Sequence, residues 1–135
     1  MRSPRSSEAF VTYKGKYLLM LRDDFPHIKN PNTWSILGGI TEEEETPEES
    51  LIRELKEEGN IDVVNYQLLF NYPTGETIFH IELNENQFKQ LKLGGEGQDL
   101  KFFTFKQLLK LSLSSTVKDY LKDYNELIKN LLYAK

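Results

Sequence analysis

The chain contains no cysteine. A disulfide framework, a thiol nucleophile and a zinc–thiolate site are therefore excluded. That absence is compatible with a cytosolic setting, and a cytoplasmic location is the expectation. Long apolar runs are missing as well: no stretch approaches the roughly 20 apolar residues that a membrane-spanning helix needs, so no membrane association is expected. Positive charge is not in excess. Seventeen Lys and Arg stand against 21 Asp and Glu, a formal net charge of −4. A nucleic-acid polymer needs a basic surface to neutralise its phosphates, so no such partner is expected. A single nucleotide is not excluded, because a metal ion can meet its phosphates. From Met1 to Ser7 there are basic residues with no apolar segment behind them, which makes a poor signal peptide. Residues 1–7 are expected to be a short mobile tail. No internal repeat or linker is visible. The 135 residues, 39% hydrophobic and 28% charged, suit one globular domain spanning 1–135.

What is present reads as strands, a helix, more strands, then helices. Ala9 to Tyr13 and Lys16 to Arg22 are expected as a strand pair around Lys14 and Gly15. Asp23 to Pro31 holds two prolines and reads as a loop. Trp34 to Leu37 is a short strand ending in the flexible backbone of Gly38 and Gly39. Thr46, Pro47 and Glu49 form a strong helix start, with a cap, a first-turn proline and a capping box. That helix is expected to run to Gly59 or Asn60, with Leu51, Ile52 and Leu55 facing a core. Tyr66 to Tyr72 and Glu76 to Leu83 read as a second strand pair. Asn84 to Leu91 is ambiguous, and Lys92 to Gln98, with three glycines, is a loop. Lys101 to Phe105 reads as a strand, Phe105 to Leu111 as a short helix and Ser115 to Leu132 as a longer amphipathic one. Phe102, Phe103 and Phe105 are expected in the core, and His27 and His80 as structural or exposed. The stripe of Tyr120, Leu121, Tyr124, Leu127, Ile128 and Leu131 is expected to pack the helix, with a homodimer face as the alternative. This order gives an α/β or α+β sandwich.

One feature carries chemistry. Glu54, Glu57 and Glu58 fall on one face of the expected helix. Three carboxylates placed so closely repel one another unless a cation holds them. Oxygen-only ligands suit a hard ion such as Mg²⁺ or Mn²⁺. Taken alone, such a run reads first as a solvated helix face, as most charged helix faces are. Spacing separates the two readings. Five residues lie between Gly39 and Glu45, seven between Glu45 and Arg53, and Glu54, Leu55, Glu57, Glu58 and Ile61 follow.

Together these residues resemble the Nudix box, the signature of the Nudix hydrolases, and the resemblance extends over nearly the whole chain. It implies the family's α/β/α sandwich with a mixed central sheet. It also implies a Mg²⁺-dependent hydrolase, with Mn²⁺ as a substitute, that cleaves a phosphoanhydride bond in a small nucleotide. Glu54, Glu57 and Glu58 would hold the metal, with a backbone carbonyl from Gly38. Arg53 would orient the carboxylates, and Glu45 would support it. Gly95 to Gln98 is similar to the loop by which MutT-type enzymes bring a further Glu to the metal, which here is Glu96. Glu54, Glu57 or Glu96 would assist the water. Arg22 would contact phosphate, Gly39 would lie against the substrate, and Trp34 would stack on a base or pack the core. The expected catalytic set is thus Arg53, Glu54, Glu57 and Glu96. Three positions depart from the pattern: Asn60 stands for the usual Gly, Glu44 for a common Gly, and Leu37 for the Pro that commonly precedes the glycine pair. Asn tolerates a left-handed helix stop, so Asn60 is expected to preserve it.

Size and the Glu96 loop point to a MutT-like nucleoside triphosphate pyrophosphohydrolase, releasing monophosphate and pyrophosphate. Nucleotide sugars and dinucleotides are the alternatives within the family. The chain lacks the further motif expected of a coenzyme A or NADH diphosphatase, and the proline at the spacing of ADP-ribose enzymes. Two rivals come from other classes: a Nudix-fold module that binds a nucleotide without cleaving it, and an acidic Ca²⁺-binding protein.

Overall fold

The computed structural model describes residues 5–132. Among these residues seven strands and five helices follow one another. Strand β1 (Ser6–Tyr13) opens earlier than expected, so Ser6 and Ser7 are sheet and not tail, and residues 1–4 lie outside the described residues. β1 turns into β2 (Lys16–Leu21) through Lys14 and Gly15, at φ 49° and 78°. Two successive left-handed residues give the turn whose twist matches a hairpin.

Beyond a loop come β3 (Trp34–Ser35) and β4 (Leu37–Ile40). Gly38 and Gly39 were expected as flexible backbone; they are paired strand residues, opposite Glu8 and Ser7. Helix α1 (Pro47–Gly59) begins as the capping residues predict. β5 (Gln67–Asn71) and β6 (Glu76–Glu82) form the second hairpin. The ambiguous segment after β6 holds a short helix, α2 (Glu85–Lys89), which Asn84 and Gln87 close with a second capping box. β7 (Asp99–Phe103), α3 (Phe105–Leu108), α4 (Ser115–Asp123) and α5 (Asn125–Asn130) complete the order. The single long terminal helix that was expected is two: Tyr124, at φ −131° and ψ 35°, breaks it between α4 and α5.

β1 is the centre of the mixed sheet. It runs parallel to β6 along its length. On its other side it is shared, pairing antiparallel with β4 over Ser6 to Ala9 and with β2 over Val11 to Tyr13. β2 in turn pairs β3 and β7, and β5 lies outermost beyond β6.

Alternation along β1 divides the interior. Phe10 packs with Tyr17, Ile78 and Phe103 beneath α3, α4 and α5, which supply Leu108, Val117, Tyr120, Leu121 and Ile128. Ala9 and Val11 pack with Leu18, Phe79 and Ile81 beneath α1, which supplies Leu51 and Leu55. The result is the expected α/β/α layering. Ile52 is the exception on α1: it was expected to face the core and is exposed, because the buried strip of the helix runs through Ser50, Leu51, Leu55, Glu58 and Gly59 and leaves Ile52 outside it.

Candidate active site

A cleft of about 750 Å³ opens where β2 and β4 diverge from β1. Its lining holds five acids, Glu8, Glu54, Glu57, Glu58 and Glu96, and two cations, Arg22 and Lys29. Asn30, Ser114 and Thr116 add polar groups, and Gly38, Gly39 and Ile40 also line it.

Local chemistry places the acids. Thr46 Oγ1 accepts the Glu49 N–H at 3.1 Å, and the Glu49 carboxylate accepts the Thr46 N–H at 2.9 Å. Such a cap is worth roughly 1 kcal/mol and sets where the helix begins. Counting from that start, Glu54, Glu57 and Glu58 fall in the last turns of α1. There the negative end of the helix dipole disfavours acids. The helix stops at Asn60, which adopts the left-handed conformation (φ 57°, ψ 40°) and whose side-chain amide donates to the Gln90 carbonyl at 2.9 Å. Asn60 thus replaces the family's usual glycine and adds a tie to the end of α2.

Arg53 gathers the carboxylates. Its Nε and Nη2 donate to the two oxygens of Glu45 at 2.7 and 2.9 Å. Nη1 donates to Glu54 at 3.0 Å and reaches Glu57 at 3.3 Å, and Nη2 also donates to the Ile40 carbonyl at 3.1 Å. Glu45 accepts the Glu42 N–H as well. The Arg53 guanidinium is the main cause that holds the Glu45 carboxyl down at about 2. With its fork engaged, Arg53 is a positioning residue.

Glu58 is buried, and its Oε1 accepts the Gly38 N–H at 2.7 Å. Burial pushes its carboxyl up to about 8 against the pull of that N–H, with Glu54, Glu96 and Glu8 adding repulsion. Burial also raises Glu54, opposed by Arg53. Gly39 leaves room for the Glu54 carboxylate, which an added Cβ, 2.5 Å away, would displace.

The Glu96 loop is docked onto the end of the same helix. Lys92 and Gly94 donate their N–H groups to the carbonyls of Gly59 and Glu58, each at 3.0 Å. Those carbonyls are among the four a helix end leaves unpaired. Gly94 lies so close that an added Cβ would be 1.8 Å from the Glu57 carbonyl oxygen. Beyond Glu96, Gly97 donates to Asp23, and the Gln98 side chain donates to the Arg22 carbonyl and to Asn32. Glu96 therefore stands on the cleft with both flanks tied down.

Arg22 lines the cleft, with Nε and Nη2 donating to the Lys29 carbonyl. Trp34 is not among the lining residues: it packs edge-on against Phe103, at 4.9 Å between ring centroids, because β3 turns its indole toward the core. Glu8 was not singled out in the sequence, where it is one residue of an apolar strand. Its carboxylate accepts from Ser6 Oγ at 3.1 Å and from Tyr120 OH at 2.9 Å, and burial raises its pKa. The signal that marks it is an acid at an inward register position of β1, opposite Gly38.

Among the described residues, no three acidic or imidazole side chains stand around a common point as a finished metal cage. The donor set nevertheless fits a hard divalent cation. All side-chain donors are oxygens, the Glu54 and Glu58 carboxyls are raised by burial and by neighbouring carboxylates, and Glu57 is 58% exposed where it lines the cleft.

The model of the NUDIX domain matches residues 4–124. No curated protein matches the chain in sequence. Among solved structures it is similar to a MutT/nudix family protein from Enterococcus faecalis (21% identity, TM-score 0.64), covering 76% of this chain but only 44% of that one. It is similar along nearly its whole length to a MutT/nudix family protein from Listeria innocua (18% identity, TM-score 0.76, 99% of each chain). It is also similar to the NUDIX domain of NrtR from Shewanella oneidensis, solved with ADP ribose (16% identity, TM-score 0.73, 95% of this chain and 90% of that one).

Proposed function

Because the chain belongs to the NUDIX domain family, a family of pyrophosphohydrolases, we propose that it is a Mg²⁺-dependent hydrolase, with Mn²⁺ as a substitute, that splits a phosphoanhydride bond of a nucleoside diphosphate derivative. The observation that carries this reading is the Arg53 fork. One guanidinium holds Glu45, Glu54 and Glu57 in a single cluster, while Glu58 is set into the sheet beside them.

Phosphoanhydride hydrolysis needs charge neutralisation, a positioned water and a proton acceptor more than covalent help. The divalent ion supplies neutralisation and a more acidic water when bound. Glu54, Glu57, Glu58, Glu96 and the Gly38 carbonyl are the groups that would hold it. Arg53 keeps the carboxylates turned to one side. Glu54, Glu57 or Glu96 takes the proton from the attacking water. Arg22 and Lys29 meet the remaining phosphate charge, and Gly39 lets the substrate lie close to the backbone.

The first substrate class is a nucleoside triphosphate, cleaved in the MutT manner to monophosphate and pyrophosphate. The docked Gly95–Gln98 loop supports this choice. The ADP ribose bound by the Shewanella domain supports, as a second class, nucleotides linked to a sugar. The same reading makes the chain a single domain acting in the cytoplasm on a small molecule. Product analysis tests the choice of class: with Mg²⁺ and a nucleoside triphosphate, stoichiometric monophosphate and pyrophosphate are expected. Turnover confined to nucleotide sugars would move the chain to the second class.

A further inference from the structure

β5 is the outer strand of the sheet, and among the described residues β6 is its sole neighbour. Its outward N–H and C=O groups are left to solvent. On the strand Leu68 is 53% exposed while Phe70 is buried, and the segment leading into it exposes Val64 at 66% and Tyr66 at 43%. Leu68 stands opposite Phe79, and the Tyr66 ring meets Phe79 edge-on at 5.5 Å, so both belong to the α1 face of the sheet. That face also carries the exposed Ile52 of α1.

Protein edges of this kind normally carry charge, proline or a bulge to prevent pairing. Here the irregularity between Leu68 and Phe70 protects only the far half of the strand. From Val63 to Gly75 the sequence has no charged residue, in a chain where 28% of residues are charged.

We propose that this edge docks a second copy of the chain, β5 pairing antiparallel with β5 across a two-fold axis at Gln67. Charge favours this occupant. Two chains of net charge −4 repel over most of their surface, and this neutral segment lets them approach without setting like charges together. A charged partner finds nothing here to pair with. A two-fold axis makes the patch self-complementary, placing Leu68 and Tyr66 of each copy against those of the other while the backbone ladder continues. The other apolar stripe weighed for a dimer is already used: Tyr120, Leu121, Ile128 and Leu131 are buried beneath α4 and α5. None of the β5 residues lines the cleft, so both active sites stay open in such a pair.

Sedimentation equilibrium on the full chain, from roughly 1 μM to 1 mM, tests this. The mass is expected to rise toward two chains with concentration. Leu68→Lys, which sets two ammonium groups across the axis, is expected to raise the dissociation constant at least about tenfold, while Leu109→Lys on the distant α3 end leaves it unchanged. Circular dichroism confirms that each variant is folded. Because the chain has no cysteine, Gln67→Cys gives a second readout free of that concern: mild oxidation is expected to yield a disulfide-linked pair. A monomer throughout the range overturns the proposal. So does a dimer that survives Leu68→Lys, one that Leu109→Lys dissolves equally, or a Gln67→Cys protein that dimerises without cross-linking.

Discussion

The Glu58 carboxylate accepts the Gly38 N–H at 2.7 Å, and so fastens the last turn of α1 to β4 inside the acidic cleft. Its carboxyl titrates at about 8 in the folded chain against an ordinary 4.5, with burial as the main cause. In the metal-free protein the folded state therefore binds this proton more tightly than the unfolded chain does. Stability from this group is fully present below about pH 4.5 and is lost as pH rises toward 8. Thermal melts in EDTA should show the wild type falling across that window more steeply than Glu58→Gln, whose amide does not titrate. Mg²⁺ should reverse the fall and release a proton on binding below pH 8. Calorimetry in buffers of different ionisation enthalpy reads that proton; no proton release at pH 7 would contradict the assignment.

Glu45 touches no substrate in this account, yet it receives two donors of the Arg53 fork. Glu45→Gln should free the guanidinium to fold onto Glu54 and Glu57 and withdraw them from the metal. Loss of a partner that orients ligands commonly costs roughly 10- to 100-fold in metal affinity or activity. The variant should stay folded and show that loss as a raised Mg²⁺ requirement, measured by titrating the ion at saturating substrate. Activity unchanged at limiting Mg²⁺ would remove Glu45 from the site.

Gly94 admits no side chain, because a Cβ there would lie 1.8 Å from the Glu57 carbonyl oxygen and 3.0 Å from its carbon. Neither atom is the end of a flexible group. Gly94→Ala should lift the 92–98 loop from the end of α1, carrying Glu96 away. A misplacement of about 1 Å can cost on the order of a hundredfold in rate. A fall in kcat that Gly95→Ala does not share is expected, since nothing lies within 4 Å of the Gly95 position. Equal kinetics in the two variants would show that the docked loop plays no part.

Asn60 is the departure from the family pattern that the structure explains. It holds φ 57° and binds the Gln90 carbonyl, so Asn60→Ala should lose both the tolerated conformation and the bond, at a cost of about 1–2 kcal/mol. Asn60→Gly should lose the bond alone and fall between the two. Chemical denaturation gives the order; an alanine variant as stable as wild type would contradict it.

The acidic helix was legible because local signals agree along it. Thr46, Pro47 and Glu49 set its start, Asn60 its stop, and the spacing of Glu54, Glu57 and Glu58 follows from helical geometry between those marks. What was not legible depends on partners distant in the chain. Ile52 reads as core by periodicity, but the buried strip of α1 runs through Leu51 and Leu55 and leaves it outside. Glu8 enters the cleft only because β4 pairs β1 and α4 brings Tyr120 to it from far along the chain. Trp34 precedes the glycines in sequence, yet Phe103 of β7 takes its ring. The break at Tyr124 has no proline or glycine to announce it; its ring stacks on Phe70 at 3.8 Å, a contact that belongs to the assembled core.

In the proposed reaction Glu57 would hold the divalent ion during phosphoanhydride hydrolysis. The most direct test is phosphate release, through added pyrophosphatase or phosphatase, from nucleoside triphosphates, oxidised nucleotides, dinucleotides and nucleotide sugars with Mg²⁺, by the wild type and by Glu57→Gln. Glu57 is 58% exposed on the surface of α1, so the substitution leaves the fold intact. Turnover of at least one substrate class by the wild type, abolished in the folded variant, is the predicted result. A wild type that binds nucleotide but turns over none of them with either Mg²⁺ or Mn²⁺ would contradict the account and leave a nucleotide-binding module.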